Sequence, residues 1–323
     1  MPRPFSTLWS IVREFNLSEL REELERPVRI ALVGYPSSEL EVIAEHLCAG
    51  DTSSVYVLNL PLSDSGRRSL ESADLALICR PATKQLDAME RSAVEIARRL
   101  PASALLVASN GSRRGFAVTY QPDLDLATTI VLDLDRPNEV DRRLAEGVLD
   151  LLPDRHLALG RQAPRLRERV AERLIRETSK ANAQFAAMSS LPGWIPILGS
   201  LAGNGADLVI LTKNQVLLVY KLAGIFGRDV RQARELAMEV LPVVGGAFFW
   251  RSLARSIVGL LPGPVAIGPK TAVAYAGTAV VGEIAHRYFR DGVPLSPEAM
   301  QDVQRRALAR LRRVPIDAAA PTA

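Results

Sequence analysis

The feature that most constrains this chain is a series of short, almost wholly apolar runs separated by segments of helical spacing. Val28–Val33 (VRIALV), Val55–Leu60 (VYVLNL), Asp74–Cys79 (DLALIC), Ala104–Ala108 (ALLVA) and Thr128–Leu134 (TTIVLDL) are all of strand length. A strand with one wet face alternates apolar and polar residues; a strand that is apolar throughout is buried on both faces. Helical segments at Leu40–Leu47, around Lys84–Leu100 and at Val140–Leu152 lie between or after these runs. Strand and helix in alternation predict a parallel sheet covered on both sides, a three-layer α/β domain over residues 27–153. Ahead of it, residues 1–26 carry an amphipathic helix with Phe5, Leu8, Trp9, Ile11, Val12 and Phe15 on its apolar side, ended by Pro27. Arg3, Arg13 and Glu14 interrupt this stretch, so no signal peptide is expected.

After Pro153 the pattern changes to helices alone. Residues 154–184 read as a basic linker helix, residues 185–313 as an all-α helical domain, and residues 314–323 as a disordered tail. Within 155–180 eight Arg or Lys face three Glu, and residues 305–313 contain five Arg. Arg165, Arg169, Arg173 and Arg176 on the first helix, with Arg306, Arg310 and Arg313 on the last, are candidate contacts for anionic lipid. Two solvated helix faces would produce the same pattern. These helices lack interleaved aromatic residues and any nucleic-acid-binding signature, so no nucleic acid partner is expected.

The first apolar run ends at Gly34 and is followed by a helix, where a phosphate-binding loop would lie. Such a loop has the form GxxxxGK[ST]: backbone amides wrap the phosphates, the lysine neutralises them and the hydroxyl holds magnesium. Aligned on Gly34, this chain has Tyr35, Pro36, Ser37 and Ser38, then Glu39 for the second glycine, Leu40 for the lysine and Glu41 for the hydroxyl. Carboxylates in that position repel a triphosphate by a few kcal/mol per close pair at intermediate dielectric, and Pro36 removes a backbone donor. The guanine-reading Asn-Lys-x-Asp expected after Ala104–Ala108 is Asn110-Gly111-Ser112-Arg113, which keeps only the asparagine, and an Asn-Gly after a strand is more often a turn. Asp64-Ser65-Gly66 is one residue short of the spacing for a magnesium-positioning aspartate. Gly34, Ser37, Ser38 and Asn110 therefore mark a degenerate nucleotide loop, and neither GTP with magnesium nor another cofactor is expected.

The helical half contains Leu191-Pro192-Gly193-Trp194-Ile195-Pro196, then Ala206–Gln215 (ADLVILTKNQ), Val219–Gly227 (VYKLAGIFG), Leu260–Pro264 (LLPGP), and a close running from Tyr275-Ala276-Gly277 to His286-Arg287-Tyr288-Phe289. Over residues 185–290 this resembles the GTPase-associated helical domain found in YcjF-like bacterial membrane proteins. That resemblance implies a degenerate P-loop, GTPase-like domain in front of it and association with the cytoplasmic face of the bacterial inner membrane. It implies no catalytic residues. It also draws attention to Trp194, Lys213, Asn214, Lys221, Gly224, Gly227, Gly277 and Gly282 as membrane or helix-packing positions.

A spanning helix needs about 20 predominantly apolar residues. Ala181–Ala206 is long enough and free of charge, but Pro192, Pro196, Asn182, Gln184 and Asn204 interrupt it, and Asp207–Gly227 holds three charges. The helices can form a soluble bundle or a shallow membrane insertion. Catalytic patterns are absent: Gly34-Tyr35-Pro36-Ser37-Ser38 is not a GxSxG elbow, and His46, His156 and His286 have no metal-binding spacing. Cys48 and Cys79 read as small buried hydrophobes rather than metal or disulfide partners. The expectation is a non-catalytic, membrane-associated scaffold or regulator whose α/β domain docks a protein partner or a second copy. An atypical GTP-binding protein and a soluble cytoplasmic interaction protein are the alternatives.

Overall fold

A computed structural model describes residues 16–48, 54–81, 86–109, 128–188, 206–244 and 267–311. The chain divides into two compact units, one spanning Glu22–Val170 and the other taking in Ala171 onward.

The first unit holds five parallel strands: β1 (Ile30–Gly34), β2 (Val55–Asn59), β3 (Leu75–Pro81), β4 (Ala102–Ser109) and β5 (Thr129–Asp133), in the order β2-β1-β3-β4-β5. Ile30 pairs with Val55 on one side and Leu75 on the other, and Leu75 pairs in turn with Ala102. Apart from Arg80 on β3 and the serines of β4, the inner strands are apolar because both sheet faces are covered. Ala31, Val33, Ala76, Ile78, Leu105 and Val107 pack beneath α3 (Asp64–Glu71) and α4 (Ala88–Ala97), with Leu70, Ala93, Val94 and Ala97 supplied by those helices. The opposite residues, Ile30, Leu32, Leu75 and Leu77, are equally buried. On that side lie α2 (Ser38–Leu47) and α5 (Pro137–Leu151), joined by a 2.6 Å contact between His46 Nδ1 and Asp141. Edge strand β2 does alternate, with Val57 and Asn59 exposed.

The unit does not stop at Pro153. A 3-10 turn (Pro153–Arg155) leads into α6 (His156–Gln162), whose Leu157, Ala158 and Leu159 are buried. Asp74 accepts from the Arg29 amide at 2.9 Å and from Arg155 Nη2 at 3.2 Å. The Gln162 side chain accepts from the Val28 amide and donates to the Arg26 carbonyl at 2.8 Å. These bonds satisfy backbone groups on the lead-in to β1, which the sheet leaves without partners. α1 (Leu17–Glu25) precedes them.

The second unit takes up α7 (Pro164–Met188) from Ala171 onward and continues through α8 (Ala206–Ile225), α9 (Ala233–Val244), α10 (Ile267–Asp291) and α11 (Pro297–Leu311). α10 packs against α8, α9 and α11, and its Ala274, Ala276, Val280, Val281, Ile284 and Ala285 are buried. Pro269 lies in the first turn of α10, where its missing N–H has no helical acceptor to lose, and Pro242 falls in the last turn of α9. α7 also reaches Met188, so the first part of the charge-free Ala181–Ala206 stretch belongs to an amphipathic helix with Asn182 fully buried. No described helix is long and apolar enough to cross a membrane.

Candidate functional site

In a doubly wound sheet of this order the crevice opens at the carboxyl ends of β1 and β3, where the strand order reverses. The groups found there are occupied with each other. Gly34 ends β1 because its neighbours leave no room for a side chain: a Cβ there would sit 3.0 Å from the Cys79 carbonyl oxygen and 3.2 Å from Leu40 Cδ1. Ser37 is the N-cap of α2, its hydroxyl accepting from the Leu40 amide at 3.3 Å, while its carbonyl accepts from the Glu41 amide at 3.1 Å. Leu40, standing where a phosphate loop has lysine, is 3% exposed. Glu39 and Glu41 occupy the first turn, where carboxylates complement the helix dipole. Ser38 opens the helix; Asn110 lies outside the described residues.

Tyr35 reaches from the end of β1 to the start of α4. Its hydroxyl donates to Asp87 at 2.7 Å, and the ring remains 39% exposed. Asp87 is the N-cap of α4 and forms a capping box: its carboxylate accepts from the Met89 and Glu90 amides at 2.8 and 2.9 Å, while Glu90 accepts from the Asp87 amide at 3.0 Å. The hydrogen bond to Asp87 is the main cause that pushes the Tyr35 phenol up to about 12. The Glu90 amide first, and Tyr35 next, hold the Asp87 carboxyl below its ordinary range. Cys79 behind them is buried, and burial, followed by the charge of Glu39, pushes its thiol up to about 12, which leaves it protonated and inert. Sequence spacing carried no sign of the Tyr35–Asp87 pair, whose members are 52 residues apart and meet only through the parallel topology.

Asp64, Ser65 and Gly66 form the first turn of α3. Ser63 caps it, accepting from the Gly66 amide at 3.1 Å and meeting the Ser65 hydroxyl at 3.0 Å. A shallow hollow of about 400 Å³, lined by Asn59, Leu62, Ser65 and Ser69 among others, opens beside them. Among the described residues no cluster of His, Cys, Asp or Glu is arranged to hold a metal ion.

The helical unit has its own polar centre. Asn182 of α7 donates to Thr278 of α10 at 2.8 Å, Asn214 of α8 donates to Asn182 at 2.7 Å, and Gln215 donates to Thr278 at 3.2 Å. Thr278 donates to the Ala274 carbonyl at 2.8 Å. Asn182 thus joins three helices, whereas Lys213, beside Asn214, and Lys221 are half-buried. Gly282 permits close packing: a Cβ would come 2.7 Å from Ile175 Cγ1 and 3.1 Å from Leu218 Cδ2. Gly224 and Gly277 are buried as well. Gly227, at φ 96°, lies past the end of α8, where the Arg228 amide bonds to the Ala223 carbonyl. Trp194 lies outside the described residues.

Arg165, Arg169, Arg173 and Arg176 fall on one stripe of α7 by helical spacing. Arg165 and Arg176 are exposed, while Arg173 pairs with Glu177 at 2.8 Å. On α11, Arg306 pairs with Asp302 at 2.6 Å; the side chain of Arg310 and all of Arg313 lie outside the described residues. Neither protein-family models nor curated proteins yield a match to this chain.

Proposed function

We propose that this protein is a non-catalytic scaffold or regulator, with a GTPase-like α/β unit that has given up its nucleotide site and serves to dock a protein partner or a second copy of itself. The observation that carries this reading is the β1–α2 turn. Ser37 spends its hydroxyl and carbonyl on the first turn of its own helix, Leu40 is buried against Gly34, and two carboxylates stand where a triphosphate would need cations. The strand order β2-β1-β3-β4-β5 is consistent with a P-loop ancestry, since it is a doubly wound sheet with its switch point beside that turn. The resemblance of residues 185–290 to the GTPase-associated helical domain supports location at the cytoplasmic face of the inner membrane.

The test is calorimetry of the full chain with GTP and GDP in magnesium buffer, alongside light scattering and affinity capture with the intact protein. No heat of nucleotide binding, together with a defined partner or a stable dimer, is the expected result. Micromolar nucleotide binding sinks the reading in favour of an atypical GTP-binding protein. A strict monomer that captures nothing leaves no docking role.

A further inference from the structure

Arg80 is the penultimate residue of β3, paired in register with Val107 of β4. Strand alternation puts it on the face of Ala76 and Ile78, beneath α3 and α4. It is only 6% exposed, and among the described residues its Nη2 has no hydrogen-bond partner. A guanidinium has five N–H donors and keeps its charge, so burying one without an acceptor is among the costlier arrangements in a protein. Native structures rarely leave such a group unmet, and a bound ion is one way of meeting it.

The carboxylates at the start of α4 do not supply the missing acceptor. Asp87 is engaged by Tyr35 and by the Met89 and Glu90 amides, and Glu90 by the Asp87 amide. The position of Arg80 is informative too. Extending the β1–β3 register beyond Val33↔Ile78 brings the end of β3 alongside Gly34 and Tyr35, at the switch point where open α/β sheets take their ligands.

We propose that Arg80 is the anchoring cation of a small oxyanion site at the carboxyl ends of β1 and β3, one that takes a phosphate or carboxylate group through the guanidinium. This goes beyond the scaffold reading and does not depend on it: the anchor is Arg80 on β3, not the amides of the β1–α2 turn. A fork of guanidinium donors matches either oxyanion, and an anion there meets a donor that the described residues leave without an acceptor.

The experiment follows thermal unfolding of the full chain in anion-poor buffer at constant ionic strength, with inorganic phosphate or acetate titrated to about 20 mM. For the unsubstituted protein a saturable rise of the midpoint is expected with at least one anion, and the stronger of the two identifies the chemical class. Arg80→Met should lose the rise and, without anion, melt no lower than the parent, because an apolar chain replaces a buried unpaired charge. Arg80→Lys should retain a weakened rise. Parallel shifts in parent and Arg80→Met, or no shift in either, overturn the site. So does an Arg80→Met protein that melts well below the parent without anion, which marks the arginine as purely structural. Should Arg80→Met fail to fold, hydrogen exchange on the parent decides: anion-dependent protection at Gly34–Tyr35 and Cys79–Arg80 supports the site, and its absence overturns it. GDP with magnesium, run in parallel, reports on the preceding reading alone, since nucleotide binding would sink the non-nucleotide scaffold while an Arg80-dependent response to phosphate would still stand.

Discussion

At the scale of single residues, the Tyr35–Asp87 bond is a pH-sensitive contact with a definite sign. The Tyr35 phenol is raised from 10.0 to about 12, so its contribution to stability is complete below the unfolded value of 10.0 and fades as pH rises through 12. Asp87 works in the opposite direction: its carboxyl is lowered, so its contribution holds above the unfolded value of 3.8 and fades as pH falls through the folded one. Tyr35→Phe should lower the thermal midpoint at neutral pH. It should also remove, in the difference between parent and variant ultraviolet titrations, one phenol that ionises near 12. A difference that titrates near the ordinary 10.0 would mean the bond does not persist in solution. Gly282 is constrained by space instead of charge. Gly282→Val places a branched side chain where even one carbon stands 2.7 Å from Ile175, and overpacking of that kind costs about 1–3 kcal/mol. Urea unfolding should show a lower midpoint at an unchanged slope, and an unaltered midpoint would show that the α7–α10 contact is loose enough to absorb the added side chain.

Among elements, the helical unit is fastened where three helices exchange side-chain hydrogen bonds at a fully buried point. Removing the amide of Asn182 takes the acceptor from Asn214 and one of two donors from Thr278, which keeps Gln215 and the Ala274 carbonyl, and a buried group left unpaired costs about 1–3 kcal/mol. Asn182→Ala should therefore be among the most destabilising changes in this unit. Combining Asn182→Leu with Thr278→Val should cost less than the sum of the single changes, because the apolar pair leaves fewer donors unmet; additive costs in chemical denaturation would show that the two side chains do not interact. Sequence patterning reaches part of this architecture. The apolar runs placed all five strands within a few residues, since burial on both faces writes itself into composition. The ends of elements were harder to read. The apolar run at Asp74–Cys79 stopped one residue short of Arg80, since a charge in a strand of this kind looks like its end. Asn182 read as an interruption of an apolar stretch, although it is the centre of the polar contact, because its partners Asn214 and Thr278 lie 32 and 96 residues away. Only the strands' parallel order brings Tyr35 to Asp87, and no local signal marks that pair.

For the whole molecule, the question that separates the functional readings is whether it meets a membrane and in what mode. No described helix is suited to spanning, and α8, the most apolar of them, carries Lys213, Lys221 and the network residues Asn214 and Gln215 along its length. The α7 stripe of Arg165, Arg169, Arg173 and Arg176 offers a different mode, adhesion to anionic headgroups, worth about 1 kcal/mol per basic residue near the surface and screened within a Debye length of roughly 10 Å at 0.1 M salt. Arg173 contributes less than its neighbours because Glu177 already pairs with it. Membranes from cells that express the full chain should therefore release it in a high-salt wash, before alkaline carbonate is applied. Vesicles with anionic lipid should bind the purified protein at low salt and lose it as salt is raised. Replacing Arg165, Arg169 and Arg176 with Gln should weaken that binding about tenfold or more, since a loss of about 1.4 kcal/mol is already a factor of ten. Retention through carbonate would overturn surface adhesion in favour of insertion. Recovery in the soluble fraction, with no vesicle binding at low salt, would remove the membrane from the account and leave a soluble scaffold whose buried polar network serves only to hold its helices in register.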